Sequence, residues 1–260
     1  MNITNDTFKE ERWREILDIL SREGRIRVAD LAAQLSVSEA TVRRDLEAMQ
    51  AQGMLQRTHG GALLQRPTAL EISFDESKSR SLREKRAIGR RAADLVGPGE
   101  SIIIESGTTT LEMARCLAGE ARQLTVLTNS LAIAKELATN EDIEVLVLGG
   151  SLRRQSASLV GNWVSEILRN VRVDKAFLGV NGLSPDFGLS APNVFTAETR
   201  KAMIVASRTR IALADHSKLG VESLYRVAPI NVLDILVTDA EATEEQLKPF
   251  REAEIEVLVG

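Results

Sequence analysis

The sequence VADLAAQLSVSEATVRRDL occupies residues 28–46 and contains two short helical patterns separated by a break. In the first pattern, apolar side chains recur with the i, i+3, i+4, i+7 spacing of one helix face: Val28, Leu31, Ala32 and Leu35. After the break, Ser38 is a good helix N-cap, and a second apolar stripe follows at Val42, Leu46 and Met49. A short helix, a tight turn and a second helix predict a helix-turn-helix, whose second helix lies in the major groove of DNA.

The residues on either side complete a small domain. Before the motif, a further helix is indicated by the spacing of Trp13, Ile16, Leu17 and Leu20. After it, residues 54–64 form two short apolar arms around Gly60 and Gly61, which is typical of a β-hairpin. We therefore predict an N-terminal winged helix-turn-helix domain over residues 1–64.

The polar side of the second motif helix is the candidate DNA-binding surface. If Val42, Leu46 and Met49 are buried, Arg44 points nearly the opposite way. Hydroxyl and guanidinium groups hydrogen-bond to phosphates and base edges. The residues predicted to contact DNA are Ser38, Thr41, Arg43 and Arg44 on the helix and Arg57 and His59 on the hairpin. A small helical bundle with a solvated polar face would give the same periodicity, so both interpretations stay open at this point.

The pattern changes after the hairpin. Residues 65–83 are polar, have no sustained period and are predicted to form an interdomain linker, and a basic helix follows around residues 85–95. Short apolar runs then appear at 102–104, 124–127, 145–148, 176–180, 211–214, 235–237 and 257–259, with helical patterns between most of them. Such runs are typical of strands buried on both faces. We predict an α/β domain over residues 84–260, with a mostly parallel sheet covered by helices.

Polar residues and glycines follow the carboxyl ends of these runs, where open α/β sheets bind ligands. Glycines, hydroxyl groups and free N–H groups at helix starts suit an anion, and Lys218 or Arg153 would add positive charge. The alternative for any one cluster is an ordinary helix N-cap. The residues predicted to bind a phosphorylated sugar or polyol are Glu105, Ser106, Gly107, Thr108, Thr109, Thr128, Asn129, Ser130, Gly149, Gly150, Arg153, Gly179, Asn181, Glu198, Asp215 and Lys218.

Bulk composition narrows the class of protein. The 260 residues are 43% hydrophobic and 27% charged, as in globular proteins. The net charge of −4 does not exclude DNA binding, because only the DNA-facing patch must be positive. Without an apolar run of about 20 residues or a signal-peptide pattern, we expect a cytoplasmic protein with no membrane partner. One cysteine, Cys116, and two histidines predict neither a disulfide nor a metal site, and the absence of phosphate-loop and dinucleotide fingerprints predicts no cofactor.

The two halves also resemble one known family. The stretch 28–46, followed by GMLQRTHGGA at 53–62, resembles the winged DNA-binding domain of the DeoR family of bacterial repressors. The segments 106–110, 128–130, 149–150, 177–182, 198–203 and 214–218 are similar to the sensor domain of that family. The resemblance implies a fold similar to ribose-5-phosphate isomerase and coenzyme A transferases, and a phosphorylated carbohydrate effector that usually relieves repression. Where the family usually has Asp, this chain has Glu105, which puts a ligand-contacting role for that residue in doubt.

Two other functions compete with a repressor. An isomerase with a DNA-binding appendage would use Glu105, Glu198, Asp215 and Lys218 for proton transfer. A regulator of protein partners would not bind DNA at all. The helix-turn-helix favours DNA binding over catalysis, and the family resemblance implies a repressor of a carbohydrate-catabolism operon, without catalytic residues. Because helix-turn-helix proteins usually bind paired half-sites, we expect a homo-oligomer.

Overall fold

The computed structural model describes residues 3–23, 25–51, 54–58, 60–64, 71–120 and 122–260. The chain forms two compact units, Met1–Pro67 and Thr68–Gly260. Among the described residues, no helix is both long enough and apolar enough to span a bilayer.

In its described residues, the N-terminal unit contains three helices and a small antiparallel sheet. These elements are α1 (Ile3–Glu23), β1 (Arg25–Arg27), α2 (Val28–Gln34), α3 (Glu39–Ala51), β2 (Leu55–Thr58) and β3 (Gly61–Leu64). Strand β3 lies between β1 and β2. The predicted helices and hairpin are confirmed. Strand β1 has no counterpart in the sequence analysis, because three residues are too few to show a period of two.

The core of this unit is built from the predicted apolar stripes. Val42, Leu46 and Met49 of α3 are fully buried, and they pack with residues of α1 and α2. Asp45 is also buried, at 4% exposure, between two of these positions. Its carboxylate accepts a hydrogen bond of 3.0 Å from Trp13 Nε1 and one of 2.5 Å from Arg12 Nε. The polar contact therefore joins α1 to α3 within an otherwise apolar interface.

The C-terminal unit is a layered α/β structure. Its helices are α4 (Phe74–Ser79), α5 (Leu82–Ala93), α6 (Thr108–Ala118), α7 (Leu131–Leu137), α8 (Asn162–Arg169), α9 (Val194–Ala206) and α10 (Glu244–Glu252). Its main-sheet strands are β4 (Ser101–Ile104), β5 (Leu124–Thr128), β6 (Ile143–Val147), β9 (Val173–Gly179), β12 (Ser207–Leu213), β14 (Ile235–Thr238) and β15 (Glu256–Val259). Its other strands are β7 (Ser151–Arg153), β8 (Ser158–Val160), β10 (Gly182–Ser184), β11 (Gly188–Ala191) and β13 (Tyr225–Ala228).

The main sheet is parallel throughout, in the order β15-β14-β12-β9-β4-β5-β6. Each of the predicted apolar runs coincides with one of its strands. Burial on both faces is confirmed for the central strands: Ile103 packs into one apolar core, whereas Ile102 and Ile104 pack into the other. The prediction of burial is wrong at the two edges of the sheet: Leu146 and Val147 of β6 are 44% and 45% exposed, and Val259 of β15 is 46% exposed.

The predicted linker, residues 65–83, is partly helical. Residues 65–70 lie outside the described residues, but α4 and the start of α5 fall within 71–83. Helix α4 has only six residues, capped by Ser73, which accepts a hydrogen bond from the Glu76 N–H. A helix of less than two turns leaves no visible period in a polar sequence.

Candidate functional site

A pocket opens in the C-terminal unit where the carboxyl ends of β4, β9 and β12 meet the start of α6. The cavity measures about 680 Å³ including its open mouth. The structure brings together the following predicted residues along its wall: Glu105, Ser106, Gly107, Thr108, Thr109, Gly179, Asn181, Asp215 and Lys218. They come from three separate parts of the chain, because parallel strands place their carboxyl ends at one edge of the sheet.

The turn between β4 and α6 presents hydrogen-bond donors to the cavity. Helix α6 begins at Thr108 directly after Gly107, and the first N–H groups of a helix have no partner inside it. The turn is held by Asn129, whose Oδ1 accepts a 2.8 Å hydrogen bond from the Ser106 N–H and whose Nδ2 donates to the Leu159 carbonyl. The start of α6, with its positive dipole end, therefore faces the pocket.

Lys85, Lys218 and Asp215 are three of the six charged residues that line the pocket, and the others are Glu71, Glu105 and Arg200. Lys85 of α5 is only 3% exposed, and burial, opposed in part by Asp215, lowers its pKa to about 8. Asp215 is buried as well, which opposes its ionisation, but Lys218, the Ser217 hydroxyl, Lys85 and His216 together lower its pKa below the usual value. Lys85 and Lys218 thus lie close enough to Asp215 to favour its ionised form, while the lining as a whole carries three basic and three acidic side chains.

The loop that carries Asp215 and Lys218 is held by Asp239. This carboxylate accepts a hydrogen bond of 2.8 Å from the His216 N–H, and its other oxygen lies 2.9 Å from His216 Nδ1. Burial alone would lower the pKa of His216, but the contact with Asp239 outweighs it and raises the pKa. Asp239 therefore fixes the position of the lysine without lining the pocket itself.

Glu105 is bound by protein groups at both of its carboxylate oxygens. Oε1 lies 3.1 Å from Arg200 Nε, and Oε2 accepts a 2.9 Å hydrogen bond from the Gly179 N–H. A Cβ at position 179 would lie 3.0 Å from Oε2, so the close approach depends on glycine there. Arg200 also donates a 2.8 Å hydrogen bond to Asn181 Oδ1. Burial raises the pKa of Glu105, which Arg200 opposes. The extra methylene of Glu105 thus places its carboxylate against Arg200 and Gly179.

The other predicted effector residues lie outside this pocket. Thr128 and Ser130 act locally: Thr128 Oγ1 accepts from the Ser130 N–H, and Ser130 caps α7. Gly149 and Gly150 form the turn before β7, where Gly150 has a φ of +136° that L-residues rarely adopt. The N-cap alternative therefore describes Ser130, whereas Thr128, Asn129, Gly149 and Gly150 have other local structural roles.

Two charged residues that were predicted to bind the effector also lie outside the pocket lining. Arg153, on β7, forms an ion pair with Glu71. Glu198 is on the exposed side of α9 and pairs with Lys201 at 2.9 Å. Neither side chain lines the pocket.

Sequence reasoning missed several residues that do line the pocket. The charged ones are Lys85, Arg200 and Glu71, and the remainder are Ile72, Phe74, Ser77, Ser156, Val180, Thr196 and Leu213. A signal for Lys85 existed: it shares a helix face with buried Ile88 and Ala92 at i+3 and i+7. A lysine within an apolar stripe is rarely buried without a partner. Arg200 lies in the same way beside Ala197 and Met203 on α9.

Among the described residues, the predicted DNA contacts lie directly before α3 (Ser38), on its polar side and on β2 (Arg57). Ser38 accepts a 3.1 Å hydrogen bond from the Thr41 N–H at the start of α3, which confirms it as the N-cap. Arg43 and Arg44 are exposed, and Arg43 pairs with Glu39 at 2.5 Å. On β2, Arg57 lies 3.5 Å from Glu47. His59 lies outside the described residues.

Comparison with known proteins covers both units. Residues 12–68 match the family model of the DeoR-like helix-turn-helix domain, and residues 80–240 match that of the DeoR C-terminal sensor domain. The transcriptional regulator GolR of Listeria innocua is 32% identical over 97% of this chain and 99% of its own length. The transcriptional repressor GlcR of Bacillus subtilis is 38% identical over 89% of each chain. The glycerol-3-phosphate regulon repressor of Escherichia coli is 29% identical over 88% of this chain and 90% of its own.

Among solved structures, ribose-5-phosphate isomerase A of Methanocaldococcus jannaschii is 20% identical and covers 52% of each chain, with a TM-score of 0.38. The curated relatives, in contrast, match almost from end to end and are regulators rather than enzymes. The chain, with both family domains in their expected order, therefore belongs to the DeoR family and is a DNA-binding transcriptional regulator.

Proposed function

We propose that the protein represses a carbohydrate-catabolism operon and that a phosphorylated sugar or polyol, bound in the pocket of the C-terminal unit, releases it from its operator. One observation carries this proposal: two lysines and a helix start converge on one cavity whose wall also holds Asp215 and Asn181, which suit hydroxyl groups. Release is the expected direction, since a catabolic operon is needed when its substrate is present. The protein would then act in the cytoplasm, where the operator DNA is.

The phosphate would lie at the start of α6. There it would accept hydrogen bonds from the N–H groups and hydroxyls of Thr108 and Thr109, and it would face the ammonium groups of Lys85 and Lys218. Charge-assisted hydrogen bonds of this kind are about twice as strong as neutral ones. A sugar without phosphate would lose all of them.

The polyol part would extend toward Asp215 and Asn181. Ionised Asp215 accepts hydrogen bonds, and the amide of Asn181, held by Arg200, presents its remaining polar groups. Glu105, in contrast, would act indirectly by fixing Arg200. We assign no proton-transfer role to it, because both of its oxygens are already bound to protein groups.

On the DNA side, we propose that α3 is the recognition helix. Ser38, Thr41, Arg43 and Arg44 would contact phosphates and base edges, and Arg57 and His59 of the hairpin would contact the adjacent backbone. The exposure of the two adjacent arginines on α3 supports this assignment. A homo-oligomer would present two such helices to paired half-sites.

The ligand assignment is tested by the thermal stability of the full chain. A panel of phosphorylated sugars and glycerol 3-phosphate is compared with the same compounds lacking phosphate. A ligand present at about 100 times its Kd stabilises the fold by about 2.7 kcal/mol, which is easily detected. We expect only phosphorylated compounds to stabilise the protein and Lys218→Ala to weaken the effect.

The matched control is Lys201→Ala, which removes an exposed lysine paired with Glu198 on α9. It should respond as the wild type does. Equal stabilisation by phosphorylated and unphosphorylated compounds, or no stabilisation by any of them, would reject the proposed ligand class.

A further inference from the structure

The first described residues of the C-terminal unit, 71–79, run along one side of the pocket, and we call them the strap. Four of its residues, Glu71, Ile72, Phe74 and Ser77, line the cavity. In the sequence, only residues 65–70 separate the strap from β3 of the N-terminal unit. Among the described residues that line the pocket, the strap is therefore the part nearest in sequence to the DNA-binding domain.

At one end, the strap is fixed to pocket residues. Lys85 Nζ donates a 2.5 Å hydrogen bond to the Ser77 carbonyl, and the Ser77 hydroxyl lies 3.3 Å from Thr108 Oγ1. Lys85 and Thr108 are the groups that an anion at the start of α6 would use. The neutral carbonyl of Ser77 thus occupies one of the three N–H donors of the Lys85 ammonium group, and a phosphate group would bind that donor more strongly.

At the other end, the strap is fixed to the β7–β8 hairpin, whose Ser156 also lines the cavity. The Glu71 carboxylate pairs with Arg153, and the backbone carbonyl of Glu71 accepts a 3.0 Å hydrogen bond from Gln155 Nε2. The Phe74 N–H donates a 2.9 Å hydrogen bond to the Gln155 carbonyl. This anchor also keeps the Glu71 carboxylate at the cavity wall, where it would repel a bound anion.

We propose that the strap transmits the occupancy of the pocket to the DNA-binding domain. When no anion is bound, the contact between Ser77 and Lys85 would keep the strap on the body of the sensor unit. A phosphate monoester takes over Lys85 and Thr108, repels Glu71 and releases the strap. This mechanism rests on the proposed function, but the anchor on the hairpin allows the strap to be tested without any ligand.

The test uses the double variant Arg153→Ala, Gln155→Ala, which removes both side-chain contacts to Glu71. A matched control exists on α8: Arg169 pairs with Glu166 at 2.5 Å, and Asn170 Nδ2 donates to the Glu166 carbonyl at 2.9 Å. The double variant Arg169→Ala, Asn170→Ala therefore removes the same two kinds of contact at a helix that does not line the pocket. All proteins are full-length chains, and the DNA is a duplex that the wild type selects from a random-sequence pool.

Without ligand, we expect the anchor variant to bind this duplex at least about fivefold more weakly than the wild type, and the control variant to bind it equally well. Hydrogen exchange of residues 71–79 should be faster in the anchor variant. It should also be faster in the wild type with inorganic phosphate than with chloride at equal ionic strength.

Equal operator affinity of the anchor variant and the wild type, with unchanged exchange in residues 71–79, would overturn the strap mechanism. So would a loss of phosphate binding in the anchor variant without any change in DNA binding, since Arg153 would then be a ligand contact. If the anchor variant loses operator affinity but no phosphorylated sugar stabilises the wild type, the strap stands and the proposed effector class fails instead.

Discussion

At the scale of single residues, Asp45 shows how one buried carboxylate fixes a small domain. It lies on the inner side of α3 and accepts hydrogen bonds from Trp13 and Arg12 of α1. The side-chain hydrogen bond to Asp45 raises the pKa of Arg12. Apolar stripes alone allow helices to slide and rotate, whereas this contact is satisfied in only one arrangement of α1 and α3.

We therefore expect Asp45→Ala to destabilise the N-terminal unit by about 2–3 kcal/mol, because the buried Trp13 N–H loses its acceptor. Glu47→Ala, which removes an exposed carboxylate 3.5 Å from Arg57, should cost less than about 0.5 kcal/mol. Urea unfolding, followed by tryptophan fluorescence in a Trp163→Phe background, reports on Trp13 alone, since the chain has two tryptophans. Equal midpoints for the two variants would contradict the role of Asp45.

Burial has a different effect at Lys85, because it lowers the pKa of the side chain. Because its pKa is lowered to about 8, Lys85 begins to lose its positive charge at mildly alkaline pH when no anion is bound. A phosphate dianion beside the ammonium favours the charged form and raises the pKa. The free protein therefore binds fewer protons at Lys85 than the complex does, and binding is favoured below pH 8 and weakened above it.

We predict that the affinity for the phosphorylated ligand is constant between about pH 7 and pH 7.5 and then falls by up to about tenfold per pH unit above pH 8. Calorimetry in buffers of different ionisation enthalpy should show proton uptake on binding at pH 8.5. The phosphate is dianionic throughout this range, so its own titration does not contribute. The same affinity and no proton uptake at pH 7 and pH 9 would show that Lys85 does not face the ligand.

At the scale of elements, the spacing of apolar residues predicted the helices and strands that are long and regular. The three N-terminal helices, the hairpin and every strand of the main sheet are predictable, because each has several apolar residues at the spacing of its geometry. Strands of three residues, such as β1, β7 and β10, are too short to show a period. The exposure of β6 could not be predicted either, since edge position depends on sheet order, which no local pattern specifies.

The same reasoning explains which part of the site was predictable. Residues at strand ends were found because the topology of α/β sheets requires ligands to bind there. Lys85 and Arg200 were missed because they reach the pocket from inside helices, through long side chains. Thr128, Ser130 and the glycines at 149 and 150 also follow strands, but of β5 and β6, which lie at one side of the sheet beyond the pocket.

For α3 as the recognition helix, we predict that the double variant Arg43→Ala, Arg44→Ala loses at least about tenfold in operator affinity at constant salt, because two cationic contacts are removed. Both side chains are exposed, so the circular dichroism spectrum should not change. The matched control removes two adjacent arginines of the C-terminal unit, Arg90→Ala and Arg91→Ala on α5. Full operator affinity of the α3 variant would show that another surface reads DNA.

At the scale of the whole molecule, the protein consists of two units with different tasks. One unit carries exposed arginines on a short helix, and the other encloses a cavity lined by buried Lys85 and half-buried Lys218. A ligand of the second unit can change the DNA affinity of the first only if it binds the DNA-free and DNA-bound states with different affinity. Control of DNA binding by the pocket therefore requires a coupling between the two units, which neither unit shows by itself.

The most direct test is the anisotropy of a fluorescent operator duplex bound to the full chain, measured while a stabilising sugar phosphate is added. We predict that operator affinity falls at least about tenfold at saturation, that the unphosphorylated sugar has no effect, and that Lys218→Ala needs a higher ligand concentration than Lys201→Ala for the same release. Unchanged operator affinity at a ligand concentration that fully occupies the pocket would contradict control of DNA binding by the pocket.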